Sequence, residues 1–308
     1  MKLFVIKLLG FICVGMILWS CGDEPEESVS PPNVQLAKEA KVAAGQDWNV
    51  SFLLDLSDRI SPEKYPNPAM EYYLRDAAYI EYVADLFDAH MWAKPVRSWN
   101  DKIQVYFDPE PSNQNINTIS QDLKFHFNRQ EASVEILKHF EELYQSNPTK
   151  IYELAIADNH YVGSDIWRFF SSKIKPYAID PSYRNILILL TDGYIYHKDN
   201  LKKEGNRTSY LTPQEVRSQG LDKENWREMM NEKDFGFIPA TSGLDSLEVL
   251  VLNINPSPNN AYQEDVLRAY WSKWFNEMKV KRYSIQSSAL PTNMEGVIKD
   301  FLFVEKDL

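Results

Sequence analysis

Two aliphatic runs constrain the fold of this chain more than any other feature of its sequence. Ile186–Leu190 contains five consecutive aliphatic residues, and Leu247–Leu252 is nearly as apolar, with only Glu248 interrupting it. A strand that is hydrophobic without alternation is covered on both faces, as strands of parallel sheets are. Because stretches with helical spacing of apolar residues lie between the strand-like runs, we expect an α/β fold. Its sheet should be doubly wound, mostly parallel and flanked by helices.

The order of the expected elements indicates one domain over residues 45–308. The expected strands are 49–55, 102–107, 184–190, 246–253 and 280–286. A further strand around Phe125 is expected to form a hairpin with the strand over 102–107. Roughly fifty residues separate Gly193 from Ser246, which is far more than a usual connection. The capping box Thr212–Glu215, with Pro at the first helical position, predicts a helix there. We therefore expect a helical insertion over about 194–245, and we hypothesise that it flanks or covers a site near Asp192.

The N-terminus has the layout of a targeting segment. Lys2 and Lys7 precede the apolar stretch Leu8–Leu18, which is short for a membrane-spanning helix of roughly 20 residues. Leu18–Cys21 resembles the lipobox of bacterial lipoproteins, although Trp19 stands where a small residue is commoner. The resemblance implies a signal peptide over residues 1–20, lipidation of Cys21 and attachment to the outer membrane. A plain signal anchor and a cleaved secretory peptide are the alternatives.

The segment after Cys21 is acidic and rich in proline, and residues 21–44 are expected to form a flexible tether. It is similar to the export signals of Bacteroidetes-type surface lipoproteins, which implies a periplasmic or surface-exposed location on the outer membrane. The only other cysteine, Cys13, lies in the predicted signal peptide, so the mature chain would lack a catalytic thiol. The formal net charge of −11 argues against nucleic acid as a partner, because binding phosphate backbones needs clustered basic residues.

Three polar segments, Asp55–Arg59, Gly163–Asp165 and Thr191–Gly193, are candidates for a ligand site. The first and third fall at the carboxyl ends of strands, where an open α/β sheet places its ligands, and the second lies in a loop ahead of an expected helix. In this order they resemble the metal-ion-dependent adhesion site of the von Willebrand factor A domain family, and the element order is similar over residues 48–305. The resemblance implies a bound Mg²⁺ or Mn²⁺, which are hard ions that prefer oxygen ligands. It also implies that an acidic side chain of a protein partner fills the open coordination position.

The positions that match the family's metal ligands are Asp55, Ser57, Ser164 and Asp192, with Ser164 in place of a threonine. Arg59 departs from the pattern, since the family has a second serine ligand there and a guanidinium cannot coordinate a cation. Two outcomes follow. Either Arg59 turns outward and Asp58 or Asp165 replaces the missing ligand, or Arg59 pairs with Asp55 or Asp192 and leaves a metal-free site.

Other interpretations of these residues stay open at this point. Taken singly, Ser57, Ser164 and Asp165 are typical helix-capping residues. The sequence contains no Gly-x-Ser-x-Gly elbow, glycine-rich phosphate loop or His-Glu-x-x-His motif, so we expect a binding module rather than an enzyme. The best enzymatic alternative is a metal-dependent hydrolase that uses Asp55, Asp58 and Asp192. A third possibility is a structural protein of the cell envelope whose site is degenerate and binds no metal.

Overall fold

A computed structural model describes residues 45–128, 130–161, 163–257 and 260–303, together with positions 35, 36, 38 and 40. The predicted signal peptide, Cys21 and most of the predicted tether lie outside the described residues. Leu36 and Ala40 fall within the predicted tether, but they are helical and buried in the larger hydrophobic core. Among the described residues, no helix is both long enough and apolar enough to cross a membrane.

A six-stranded sheet forms the centre of an α/β fold, in the order β3-β2-β1-β4-β8-β9. The strands of this sheet are β1 Trp48–Leu54, β2 Asp101–Tyr106, β3 Phe125–Phe127, β4 Arg184–Leu190, β8 Leu247–Ile254 and β9 Arg282–Ser287. All neighbours run parallel except β2 and β3, which are antiparallel, so the sheet is mixed. The expected partner of β2 near Phe125 is therefore present as β3. It is not joined to β2 by a hairpin, because a helix lies between them.

Helices cover both faces of this sheet, as the uninterrupted aliphatic runs predict. The helices are α1 Tyr72–Trp92, α2 Gln114–Asp122, α3 Val134–Asp158, α4 Ile166–Arg168, α5 Pro213–Ser218, α6 Trp226–Glu232, α7 Gln263–Met278 and α8 Pro291–Phe303, and a π-helix, Phe169–Ala178, continues α4. Successive side chains of β4 point to opposite faces. Ile186 and Ile188 lie in the core shared with α1, α3 and α8, whereas Leu187 and Leu189 lie in the core shared with α7.

The segment between β4 and β8 is an insertion that contains both helices and strands. Thr212 Oγ1 accepts a hydrogen bond from the Glu215 N–H at 3.1 Å, which confirms the predicted start of a helix at Pro213. A small sheet of β5 Lys203–Glu204, β6 Arg207–Thr208 and β7 Gly236–Phe237 was not expected from the sequence. Phe237 packs against Tyr270, Trp271 and Trp274 of α7. This contact fixes the insertion to the hydrophobic core that β4 shares with α7.

An acidic pair between α1 and α3 makes stability depend on pH. Burial raises the pKa of Asp88 to about 8, and the neighbouring Glu141 carboxylate contributes to this rise. The folded protein therefore binds the proton of the Asp88 carboxyl more tightly than the unfolded chain does. The stabilisation that comes from this tighter protonation is complete below the ordinary pKa of 3.8 and is lost as the pH rises to about 8.

We expect Asp88→Asn to raise the melting temperature at about pH 9, where the wild-type carboxylate is charged, and to change it little near pH 4. Roughly 2–4 °C corresponds to each 1 kcal/mol in a domain of this size, so thermal unfolding at the two pH values resolves the effect. Asp122→Asn, at an exposed position on α2, is the matched control. Equal melting temperatures for Asp88→Asn and the wild type at about pH 9 would contradict this account.

Candidate functional site

The carboxyl ends of β1, β4 and β8 meet at one edge of the sheet and form the floor of a cleft. Leu54 pairs with Leu190 and Leu190 pairs with Leu252, so the residues that follow these three strands are neighbours. The cleft has a volume of about 540 Å³. The sequence-predicted residues that line it are Asp55, Ser57, Asp58, Arg59, Ser164 and Asp192. Among the described residues that form its wall, Asp165 is absent.

Asp55 is held rigidly at the end of β1. Its Oδ1 atom accepts a hydrogen bond from the Ser57 N–H at 2.9 Å, and its Oδ2 atom accepts one from the Thr191 hydroxyl at 2.9 Å. Its backbone N–H donates to the Leu190 carbonyl at 3.0 Å, which continues the pairing of β1 with β4. The carboxylate is therefore fixed in position before any ligand arrives.

Asp192 brings a second carboxylate to the same edge. Its Oδ1 atom accepts a hydrogen bond from the Tyr194 N–H at 3.0 Å. Burial raises the pKa of Asp192 to about 7, and repulsion by Asp55 adds to the rise. None of the ion pairs formed by the described residues of this cleft includes Asp192. The floor therefore carries two acidic groups, one of which has no cationic partner within this part of the chain.

The residue after Asp192 must be glycine for this geometry. Gly193 has a φ of +99°, and a Cβ atom built on it would lie 2.8 Å from Ile254 Cδ1. Side chains are strained at this φ, and the close approach leaves no space for a methyl group. The Asp-Gly pair thus lets the chain leave β4 sharply while Asp192 stays at the sheet edge.

Ser164 reaches the cleft from a different loop. It forms an isolated β-bridge with Tyr196, and Gly163 lies so close to this segment that a Cβ atom would be 2.6 Å from the Tyr196 carbonyl oxygen. The Ser164 hydroxyl is buried and has no hydrogen-bond partner among the described residues. Leaving a buried hydroxyl unsatisfied costs free energy, so this atom is one that a bound ligand or ion would satisfy.

The two candidate replacement ligands serve other purposes. Asp165 Oδ1 caps α4 by accepting from the Arg168 N–H at 2.9 Å, and it also accepts from the Asn200 amide at 2.7 Å. Asp58 pairs with Lys64 at 3.0 Å at the solvent-exposed mouth of the cleft. The structure therefore supports the capping interpretation for Asp165. Asp58 nevertheless lines the cleft, whereas Asp165 does not.

Arg59 does not turn outward, and it forms the expected ion pair with Asp55, but its closest carboxylate is that of Asp76. It turns inward and is only 5% exposed, and its Nη2 atom lies 2.5 Å from Asp76 Oδ2 and 2.9 Å from the Leu190 carbonyl oxygen. Its Nε atom donates to the Asp55 carbonyl at 3.1 Å and lies 3.5 Å from Asp55 Oδ2. Burial lowers the pKa of Arg59, but the carboxylates of Asp76 and Asp55 outweigh burial and raise it overall.

Asp76 and Asn253 belong to this site and were not identified from the sequence. Asp76 lies on α1, is fully buried, and accepts from the Asn253 amide at 2.7 Å as well as from Arg59. Burial raises the pKa of the Asp76 carboxyl, and Arg59 and Asn253 counteract part of this rise. An acid on the apolar face of α1, between Tyr73 and Ile80, was the available signal.

Asn253 lies near the end of β8 and has a φ of +72°, in the left-handed region. Its amide nitrogen donates to Asp76 and to the Tyr72 carbonyl, which fixes the orientation of the side chain. Its Oδ1 atom is buried without a hydrogen-bond partner among the described residues, and the residue lines the cleft. The cleft therefore contains two buried oxygen atoms, Ser164 Oγ and Asn253 Oδ1, that form no hydrogen bond with the described residues.

Neither protein-family models nor curated proteins nor solved structures give a significant match to this chain. Within the described ranges, no group of three or more His, Cys, Asp or Glu side chains is arranged to hold a metal ion. The candidate site instead combines two carboxylates with hydroxyl and amide oxygens. Any function proposed for this site therefore rests on how these oxygen atoms are arranged.

The buried ion pair predicts strong coupling between Arg59 and Asp76. Arg59→Met and Asp76→Asn should each destabilise the protein by about 3–5 kcal/mol, because each leaves a buried charge without its main counter-charge. The double variant should cost less than the sum of the two, since it removes both charges. Denaturant unfolding of the four proteins measures this coupling. Additive effects would show that the two side chains do not depend on each other.

Proposed function

We propose that the described part of the chain is a domain similar to von Willebrand factor A domains, with a doubly wound, mostly parallel sheet and an antiparallel edge strand. Four of the five neighbouring strand pairs are parallel, and helices cover both faces. The candidate site lies at the carboxyl ends of β1, β4 and β8. Ligands bind at this edge in open sheets of this kind.

We further propose that the cleft holds Mg²⁺ or Mn²⁺ and binds an acidic side chain of a protein partner through that ion. The observation that carries this proposal is the convergence of Asp55, Ser57, Ser164 and Asp192 on one cleft, where the buried Ser164 hydroxyl has no hydrogen-bond partner among the described residues. The bound ion supplies positive charge that attracts the partner's carboxylate. Lipidation of Cys21 would attach this binding module to the outer membrane.

The oxygen atoms of the cleft suit a hard divalent cation. Carboxylates and hydroxyls are the donors that Mg²⁺ and Mn²⁺ prefer, and these ions keep several waters when few protein ligands are present. Asp55 and Asp192 would provide the carboxylates, and Ser57 and Ser164 would provide the hydroxyls. Asn253 Oδ1 offers one further acceptor, either for the ion or for one of its waters.

Arg59 does not neutralise this site. With Asp55, Asp76 and Asp192 ionised and Arg59 protonated, three negative charges and one positive charge leave a net charge of −2. Asp76 supplies the main counter-charge of Arg59 and holds its Nη2 atom against the Leu190 carbonyl. Asp76 thereby reduces the repulsion that the Arg59 guanidinium would exert on a divalent cation in the cleft, although Arg59 stands at the position of a serine ligand in the family.

The hydrolase alternative receives no specific support. Asp58, one of its three proposed carboxylates, pairs with Lys64 at the mouth of the cleft. No histidine is among the described residues that line the cleft, so a general base would have to be a carboxylate, Lys64 or a tyrosine. A binding role requires only the fixed oxygen atoms and an ion.

The metal proposal predicts thermal stabilisation of the full-length chain in detergent. Adding Mg²⁺ or Mn²⁺ at about 100 times its Kd should stabilise the folded state by about 2.7 kcal/mol. The melting temperature should rise by roughly 2–4 °C for each kcal/mol. Asp192→Asn should abolish the shift, because it removes a charged ligand. The exposed Asp245→Asn, which lies outside the cleft, should keep it.

Two results would contradict the metal proposal. One is a wild-type melting temperature that neither ion changes. The other is an equal shift in the wild type and Asp192→Asn. The first result, together with the coupling expected for Arg59 and Asp76, would favour the metal-free structural alternative.

A further inference from the structure

A second cavity lies at the edge of the central sheet opposite to the cleft. Asp47 precedes β1, Asn100 precedes β2 and Asn128 follows the antiparallel strand β3, so the three residues are neighbours at this edge. The cavity has a volume of about 570 Å³. This volume is within the range of sites that enclose small ligands, roughly 300–1,000 Å³. The proposed function makes no use of this cavity.

The walls of the second cavity are polar. Pockets for small molecules are lined mostly by apolar side chains, whereas six of the seven described residues that line this one are polar. The seventh, Trp99, is fully buried, so its ring offers no face to a ligand. A ligand here would therefore be held by hydrogen bonds rather than by apolar contact. The six polar residues are Asp47, Arg97, Ser98, Asn100, Asn128 and Gln130.

Buried contacts fix the polar groups at the base of the cavity. The Asn100 amide donates to Asp47 Oδ2 at 3.2 Å, and Asn100 Oδ1 accepts from the Tyr183 hydroxyl at 3.1 Å. Asp47 Oδ1 accepts from Lys94 Nζ at 3.0 Å, and Lys94 also pairs with the fully buried Asp101. The Asp47 carboxylate and the Asn100 amide are therefore oriented before a ligand binds.

Trp99 anchors the loop that forms one wall. Its Nε1 atom donates to the Met91 carbonyl at 2.6 Å, and its ring meets the rings of Trp92 and Phe127 edge-on. Arg97 lies two residues earlier, in the 3₁₀ turn Val96–Ser98, and is exposed. The loop is thus fixed through its buried residue, while its basic residue stays accessible.

The charges around the second cavity cancel. Asp47 and Asp101 supply two negative charges, and Lys94 and Arg97 supply two positive charges. Burial lowers the pKa of His90, whose Nε2 atom lies 3.0 Å from Asp101 Oδ1, so its imidazole is uncharged at neutral pH. Phosphate sites need clustered basic groups and sites for divalent cations need clustered oxygen anions. The described residues of this cavity provide neither, which favours an uncharged ligand.

The free hydrogen-bonding capacity of the cavity suits hydroxyl groups. None of the ion pairs formed by the described residues of this cavity includes Arg97, so its guanidinium has donors to offer. The exposed Gln130 amide carries both a donor and an acceptor, and the Asp47 carboxylate has lone pairs left. A hydroxyl both donates and accepts, so it can meet all three groups.

We infer that the second cavity binds an uncharged saccharide. Ring hydroxyls donate to Asp47 and accept from Arg97 and Gln130. A saccharide ring presents several hydroxyls in a fixed arrangement, which limits the entropy lost on binding. This site is separate from the cleft and requires no metal ion, so it goes beyond the proposed function.

The probe is an array of neutral and acidic oligosaccharides. It is incubated with the full-length chain in a detergent without a sugar headgroup and in the presence of a chelator, which removes any contribution of a metal ion in the cleft. We expect binding to one or more neutral oligosaccharides. The same saccharide, free in solution, should compete for this binding.

The test of the cavity is the double variant Arg97→Ala/Gln130→Ala. It should weaken binding of the best saccharide about tenfold or more, because it removes hydrogen bonds from two side chains. Arg227→Ala/Gln121→Ala is the matched control, since both residues are exposed and neither lines the cavity. All four substituted positions are exposed, so both variants should keep the wild-type melting temperature. Asp192→Asn should leave saccharide binding unchanged.

The outcomes separate this inference from the metal proposal. Failure of every neutral oligosaccharide to bind would overturn the inference, and so would binding that is confined to acidic ones. Equal affinity of the wild type and Arg97→Ala/Gln130→Ala would also overturn it. Loss of binding in Asp192→Asn would assign the saccharide to the cleft instead. None of these results bears on whether Mg²⁺ or Mn²⁺ raises the melting temperature.

Discussion

A charge buried at the end of β1 organises the whole candidate site. Arg59 is almost fully enclosed, so its guanidinium requires a carboxylate and hydrogen-bond acceptors nearby. Asp76 of α1 supplies the carboxylate, and the carbonyls of Asp55 and Leu190 accept from the remaining donors. One side chain thus joins β1, β4 and the first helix beneath the cleft. The positions of Asp55 and Asp192 depend on this connection, whatever ligand the cleft binds.

The central sheet explains why chemistry gathers at a single edge. The aliphatic side chains of Ile186–Leu190 in β4 and Val249–Leu252 in β8 fill the cores on both faces, so the middle of these strands carries no polar side chain. Polar side chains appear where the strands end, because the backbone leaves the sheet there and meets solvent. Asp55, Asp192 and Asn253 follow this rule on three neighbouring parallel strands. Convergence of donors is therefore a consequence of strand direction and register.

The fold and much of the floor were predictable from the sequence, because their signals are local. The aliphatic runs identified β4 and β8, and the capping box identified the helix at Pro213. Strands β5 to β7 have two residues each, which is too short to show periodicity. The pairing of Arg59 with Asp76 was also missed, since a pairing over 17 positions between different elements leaves no local pattern. Only the acid on an apolar helix face pointed to Asp76.

The anchoring of the insertion has a consequence for how this surface can diversify. Phe237 packs against the tryptophans of α7 and fixes residues 194–245 to that helix. Tyr194 and Tyr196 begin this segment immediately after the Asp192–Gly193 turn and line the cleft. Substitution of these two side chains would change the wall of the cleft, while the backbone contacts of the segment with Asp192 and Ser164 would remain. The shape of the wall can therefore diverge without moving the residues at the ends of the strands.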